Sequence, residues 1–208
     1  MVLLAVKPQV MKAVTESISG ALDHRPLIIS IAAGISMTSL EQWLGADLPI
    51  VRCMPNTPSL VQTGAAGLFA NAHVSVEQKQ LASDILDAVG TSCWLQSEAE
   101  IDAVTAVSGS GPAYYFLIME IMQEIGEELG LSPEVSRQLT LQTALGAAKM
   151  AVSSDVDAAE LRRRVSSPGG TTERAIQAFE AGDLKAVFRE AMNNAVKRAA
   201  EMADELAN

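Results

Sequence analysis

The sequence predicts an α/β domain followed by an all-α one: a partial, doubly wound sheet over residues 1–97, then a helical domain over residues 98–208. Two observations carry this. Before Ser97, short apolar runs that do not alternate with polar residues are separated by helical stretches, and unalternating strands belong to parallel sheets covered on both faces. From Glu98 onward no strand signal occurs and helical periodicity takes over. Composition agrees. Aromatic residues are only 4% of the chain, while Ala, Leu, Val, Met and Gly are abundant, side chains suited to closely packed helices.

Taken in order, Val2 to Val6 reads as a strand ended by Lys7-Pro8. A helix follows over Gln9 to Ser19, with Val10, Val14 and Ile18 near one face. Leu27 to Ile31 is a second strand, Met37 to Leu44 a short helix and Pro49 to Met54 a third strand. Gly67 to Asn71 and Ser92 to Leu95 read as further strands around a helix at Val76 to Val89. In the second half, Ser132 is the N-cap of a helix with Pro133 at its first position and Glu134 in its first turn. The last helix, Asp183 to Leu206, carries a stripe of Leu184, Val187, Phe188, Ala191, Ala195, Ala199 and Met202. This half is expected to keep a core independent of the sheet.

The chain has 208 residues, 49% of them apolar, enough for one large or two small cores. A net charge of −10 leaves no basic footprint for nucleic acid or an anionic membrane. Cys53 and Cys93 have no metal-ligand spacing and are too few for a disulfide framework, so no metal site and a cytoplasmic location are expected. His24 and His73 read as surface residues, and Arg162-Arg163-Arg164 as the end of a helix.

Four segments can carry chemistry. Ala5, Val6, Lys7 and Pro8 lie at the carboxyl end of a strand, where open α/β sheets bind ligands; the plainer reading is a strand stopped by proline. Met54-Pro55-Asn56-Thr57-Pro58 is stiffened by two prolines, and Asn56 offers a donor and an acceptor, as a carboxamide ligand needs; it reads equally as a rigid turn. Ser108, Gly109, Ser110, Gly111, Pro112 and Ala113 interrupt a helical run and build a helix N-terminus that a ligand can approach closely. Gly169, Gly170, Thr171 and Thr172 open another helix and form a cradle for a small carboxylate; the alternative is a capping turn with Glu173 reaching back.

In this order the segments resemble pyrroline-5-carboxylate reductases. The most specific strings are SGSGPAYYF (108–116) and SPGGTTERA (167–175), joined by MPNTP (54–58) and AVKPQ (5–9). The resemblance spans Val2 to Leu206. It implies a Rossmann-type domain followed by a helical domain that builds an intertwined homodimer, with larger rings in some members. It implies reduction of 1-pyrroline-5-carboxylate to L-proline with NADPH or NADH. Ala5, Val6, Lys7 and Pro8 would then line the dinucleotide, with Asn56 close to the nicotinamide. Ser108, Gly109, Ser110, Gly111, Pro112 and Ala113 would shape the substrate pocket. Gly169, Gly170, Thr171 and Thr172 would hold the substrate carboxylate, with Thr172 near the ring nitrogen as the catalytic candidate.

The sequence departs from that pattern in one respect. It contains no G-x-G-x-x-G turn, so the chain is expected to open part-way through its nucleotide-binding domain, to leave Val2 to Val6 as a sheet edge, and to bind NADPH weakly. Two other readings share some of these features. One is a hydroxyacid-type dehydrogenase using Lys149, Lys185 or Lys197 as acid/base, although none lies in a Gly-rich segment. The other is a non-catalytic dimerisation module.

Overall fold

A computed structural model describes residues 1–45 and 47–206 of the chain. Five strands form one sheet: β1 (Val2–Leu4), β2 (Ile28–Ser30), β3 (Ile50–Met54), β4 (Gly64–Ala70) and β5 (Gly90–Trp94), in the spatial order β1-β2-β3-β4-β5. The helices are α1 (Pro8–Ser19), α2 (Met37–Leu44), α3 (Val76–Asp87), α4 (Glu100–Val104), α5 (Gly111–Glu128), α6 (Pro133–Val152), α7 (Ala158–Arg164), α8 (Thr171–Ala181) and α9 (Leu184–Leu206). No strand follows Trp94 among the described residues. Two compact units result. One comprises Met1–Pro112 with Ala191–Asn208, and the other Ala113–Glu190.

The sheet is mixed. β1, β2 and β3 run parallel, as do β4 and β5, but β4 pairs antiparallel to β3, with Met54 opposite Gly67. The parallel pairing expected of the first three strands is present, and the reversal falls at β4, for which the sequence carries no signal of direction. The link between β3 and β4, residues 55–63, holds only a 3-10 turn (Thr57–Val61) and is shorter than the roughly dozen residues a parallel crossover needs. β1 is an edge strand, bonded to β2 alone, and Leu3 is 47% exposed.

Apolar clusters cover both faces of the sheet. Leu4, Met11, Ile28, Leu40, Trp43 and Ile50 belong to one; Ile29, Val51, Cys53, Leu68, Ala82 and Leu86 to the other. α1 buries Met11 and Thr15, while Val10 is exposed, so its inward face is turned by one residue from the expected one. Thr15 tolerates burial because its hydroxyl donates to the Met11 carbonyl at 2.9 Å.

A polar contact ties β3 to the segment after β5. Buried Arg52 pairs with Glu98, and the same carboxylate oxygen accepts the Met37 N–H at 2.6 Å, in the first turn of α2. Removing one partner of a largely buried pair strands the other charge. Glu98→Ala should therefore lower stability by about 2–3 kcal/mol in urea unfolding, allowing for the partial exposure of Glu98. An unchanged midpoint would show that water satisfies Arg52 equally well.

The two thiols should behave differently. Burial pushes the Cys53 thiol up to about 12, whereas Cys93 is exposed. Because the thiolate is the nucleophile, Cys53 should stay inert at neutral pH. A chromogenic disulfide reagent should titrate Cys93 quickly and Cys53 only after denaturant. Rapid modification of Cys53 in the folded protein would contradict this.

The second unit differs in kind. Ser132 accepts the Val135 N–H at 3.3 Å and Pro133 starts α6, while Asp157 caps α7. Yet its buried residues are polar, Ser136 and Thr140, and no large apolar side chain there is buried. Tyr115, Phe116, Ile121, Met122 and Ile125 on α5, and Leu139, Leu145 and Met150 on α6, are all exposed. Within one chain this unit has no buried cluster of large apolar side chains. The apolar stripes exist, but they face outward.

Candidate active site

The parallel strands β1, β2 and β3 end side by side, and their carboxyl ends bring three loops together. After β1, Ala5 and Val6 lead to Lys7 at the N-cap of α1 and Pro8 at its first position. Pro8 suits that place because its missing N–H would have no helical partner anyway. After β3 comes Pro55-Asn56. Between them lies the turn 31–34 at the end of β2, which sequence reading overlooked as a site segment. Its signal was available: Ala32-Ala33-Gly34 are small residues at the carboxyl end of a buried strand, where a ligand can approach the backbone. Just before it, Ser30 is buried and its hydroxyl has no hydrogen-bond partner among the described residues.

The serine–glycine segment joins the same end of the sheet. Thr105–Gly109 forms a π turn, in which the Ser110 N–H donates to the Thr105 carbonyl at 2.7 Å. Such turns widen a helix and often mark functional sites. Gly111 then begins α5, with Pro112 next and Ala113 after it. The Ser108 hydroxyl donates back to the Val104 carbonyl at 3.1 Å. Asn56 spans both loops, accepting the Ala65 N–H on Oδ1 at 2.9 Å and donating from Nδ2 to the Ser108 carbonyl at 3.1 Å. Asn56 and Ser108 were separate candidates in the sequence, and the fold joins them.

Gly169, Gly170, Thr171 and Thr172 lie in the other compact unit. Gly169 adopts φ +71°, a conformation that disfavours any side chain, and Gly170 is the N-cap of α8, with Thr171 as its first residue. No side chain caps this helix. Two of the four N–H groups in the expected carboxylate cradle are already engaged. The Gly170 N–H donates to the Ser167 carbonyl at 2.9 Å, and the Gly169 N–H donates to Glu173 Oε2 at 2.8 Å. Glu173 thus reaches back, one residue beyond where a capping box places it. The anion-binding capacity of this turn rests on the first-turn N–H groups and hydroxyls of Thr171 and Thr172, both exposed in the single chain.

His24 and His73 are exposed and outside these loops, and Arg162, Arg163 and Arg164 close α7. Among the described residues, no cluster of three or more His, Cys, Asp or Glu could hold a metal, and no helix is long and apolar enough to cross a membrane.

Comparison with known proteins agrees with this architecture. Residues 98–202 match the family described as pyrroline-5-carboxylate reductase dimerisation. A pyrroline-5-carboxylate reductase of Pseudomonas aeruginosa is 59% identical over 205 residues, covering 99% of this chain and 75% of that protein. The structure of a pyrroline-5-carboxylate reductase from Coxiella burnetii superposes with a TM-score of 0.94 at 50% identity, covering 97% of this chain and 75% of the other. The NADP-bound pyrroline carboxylate reductase of Plasmodium falciparum gives 0.87 at 34% identity, with 97% and 76% covered. Sheet, loops and helices therefore define a protein with a Rossmann-type fold and a helical dimerisation domain. The chain belongs to the pyrroline-5-carboxylate reductase family.

Proposed function

We propose that this protein reduces 1-pyrroline-5-carboxylate to L-proline, the last step of proline synthesis, with NADPH or NADH as reductant. The carrying observation is the convergence of the β1, β2 and β3 ends with the serine–glycine segment, locked by the Asn56 bridge. The small residues there suit a nicotinamide: Ala5, Val6, Lys7 and Pro8 with the turn 31–34 would line the dinucleotide, and Asn56 would lie at its nicotinamide end. When bound, the reduced cofactor supplies the hydride.

The chain's own residues supply orientation. Ser108, Gly109, Ser110, Gly111, Pro112 and Ala113 shape the substrate pocket. The α8 N-terminus holds the substrate carboxylate through Thr171 and Thr172, while Gly169 and Gly170 set the turn. The Thr172 hydroxyl sits at the imine nitrogen, where it can donate a hydrogen bond and favour the protonated, electrophilic form. Fixing the carboxylate also fixes which ring face is presented.

The working protein is a homodimer, with residues 98–208 as the dimerisation and substrate-binding part, and it acts in the cytoplasm. The full-length polypeptide should form proline from pyrroline-5-carboxylate with matching loss of reduced-nicotinamide absorbance. No proline with either NADPH or NADH would overturn this reading.

A further inference from the structure

We propose that the Asn56 carboxamide is a positioning residue, which holds the π turn Thr105–Gly109, and through it the start of α5, against the carboxyl end of the sheet. The inference rests on the reductase reading and deepens it. The Ser108 carbonyl would, in a continuous α-helix, face the N–H of the residue four positions on. That residue is Pro112, which has none. Asn56 Nδ2 supplies a donor to this carbonyl at 3.1 Å.

The other end of the amide is equally constrained. The Ala65 N–H at the start of β4 can only donate, and it donates to Asn56 Oδ1 at 2.9 Å. A carbonyl on one side and an N–H on the other require a side chain that both donates and accepts at fixed spacing. A carboxamide does so, whereas a carboxylate, acceptor-only, cannot. The two loops also approach closely beside the bridge: a Cβ on Gly109 would come within 2.6 Å of Met54 Cε. Asn56 therefore sets how far Ser110 and the α5 N-terminus stand from the sheet end.

The test compares Asn56→Asp and Asn56→Ala in the full-length enzyme. Asn56→Asp keeps the acceptor for Ala65 but sets an oxygen against the Ser108 carbonyl, whereas Asn56→Ala removes both bonds. Both should lower the kcat for pyrroline-5-carboxylate about ten-fold or more, as a displaced reactive geometry does. The loss in kcat at saturating NADPH and substrate should exceed any loss in NADPH affinity, measured by titration without substrate, which separates positioning from a lost ground-state contact. The variants differ in whether the Ala65 N–H keeps an acceptor, so if one fails to fold the other still carries the measurement. A parallel loss of NADPH affinity with kcat unchanged would make Asn56 a cofactor contact and overturn the positioning role. Unchanged kcat in both variants would do the same. Those results leave the reductase reading intact, whereas a wild-type enzyme that forms no proline overturns both.

Discussion

Dilution should unfold the helical half of this protein as it dissociates the dimer. Within one chain, residues 113–190 bury no large apolar side chain, while Tyr115 and Phe116 remain 66% and 63% exposed. A bundle without its own core cannot offset the conformational entropy of ordering its helices. A second copy supplies the missing apolar surface, and the interface should exceed about 2,000 Å², the range of obligate dimers. The melting temperature should consequently rise with protein concentration, because folding and association are one equilibrium.

Ile121→Asp probes this directly, since it places a charge amid the exposed apolar residues of α5. Losing a well-packed anchor costs about 2 kcal/mol or more, and a desolvated charge adds to it. Dimer affinity should fall by at least about thirty-fold. Sedimentation should show dissociated chains with reduced helicity. A concentration-independent melting temperature, or an Ile121→Asp dimer as tight as wild type, would show that α5 lies outside the interface.

The second large effect is expected at the α8 N-terminus. Gly169 and Gly170 use their N–H groups internally, so in the proposed reaction Thr171 and Thr172 would carry the carboxylate and the ring nitrogen. Thr172→Val keeps the shape and removes the hydroxyl. An unpaired polar partner in a closed site costs about 1–3 kcal/mol, roughly five- to 150-fold in kcat/KM. Gly170→Ala should compound the loss, because its Cβ would lie 2.9 Å from the Ser167 backbone oxygen and force the turn to move. Thr172→Val with wild-type kinetics would remove that hydroxyl from the site.

Much of the local architecture was legible in the residues themselves. The bounds of α2, the Ser132 cap with Pro133, the close of α7 at Arg164 and the opening of α8 after Gly170 all depend on neighbours within one helical turn. The four motifs also stood out, because glycine, proline and hydroxyl side chains at loop positions mark where backbone can meet a ligand. The face of α1 was misjudged by one residue, since a buried threonine that donates to its own helix reads as polar in sequence.

Other features required the fold. The fourth strand begins at Gly64, three residues before its expected start, and its antiparallel pairing with β3 had no signal in the sequence. The Asn56–Ser108 bridge spans fifty-two positions, the occupied N–H groups of the glycine turn depend on how Glu173 folds back, and the outward apolar faces of α5 and α6 await a partner chain. Capping and periodicity act over three or four residues, so the sequence alone determined where elements begin and which motifs lie in their loops. Strand direction, distant hydrogen bonds and the location of the core arise from contacts between segments far apart in the chain, so only the tertiary structure decided them.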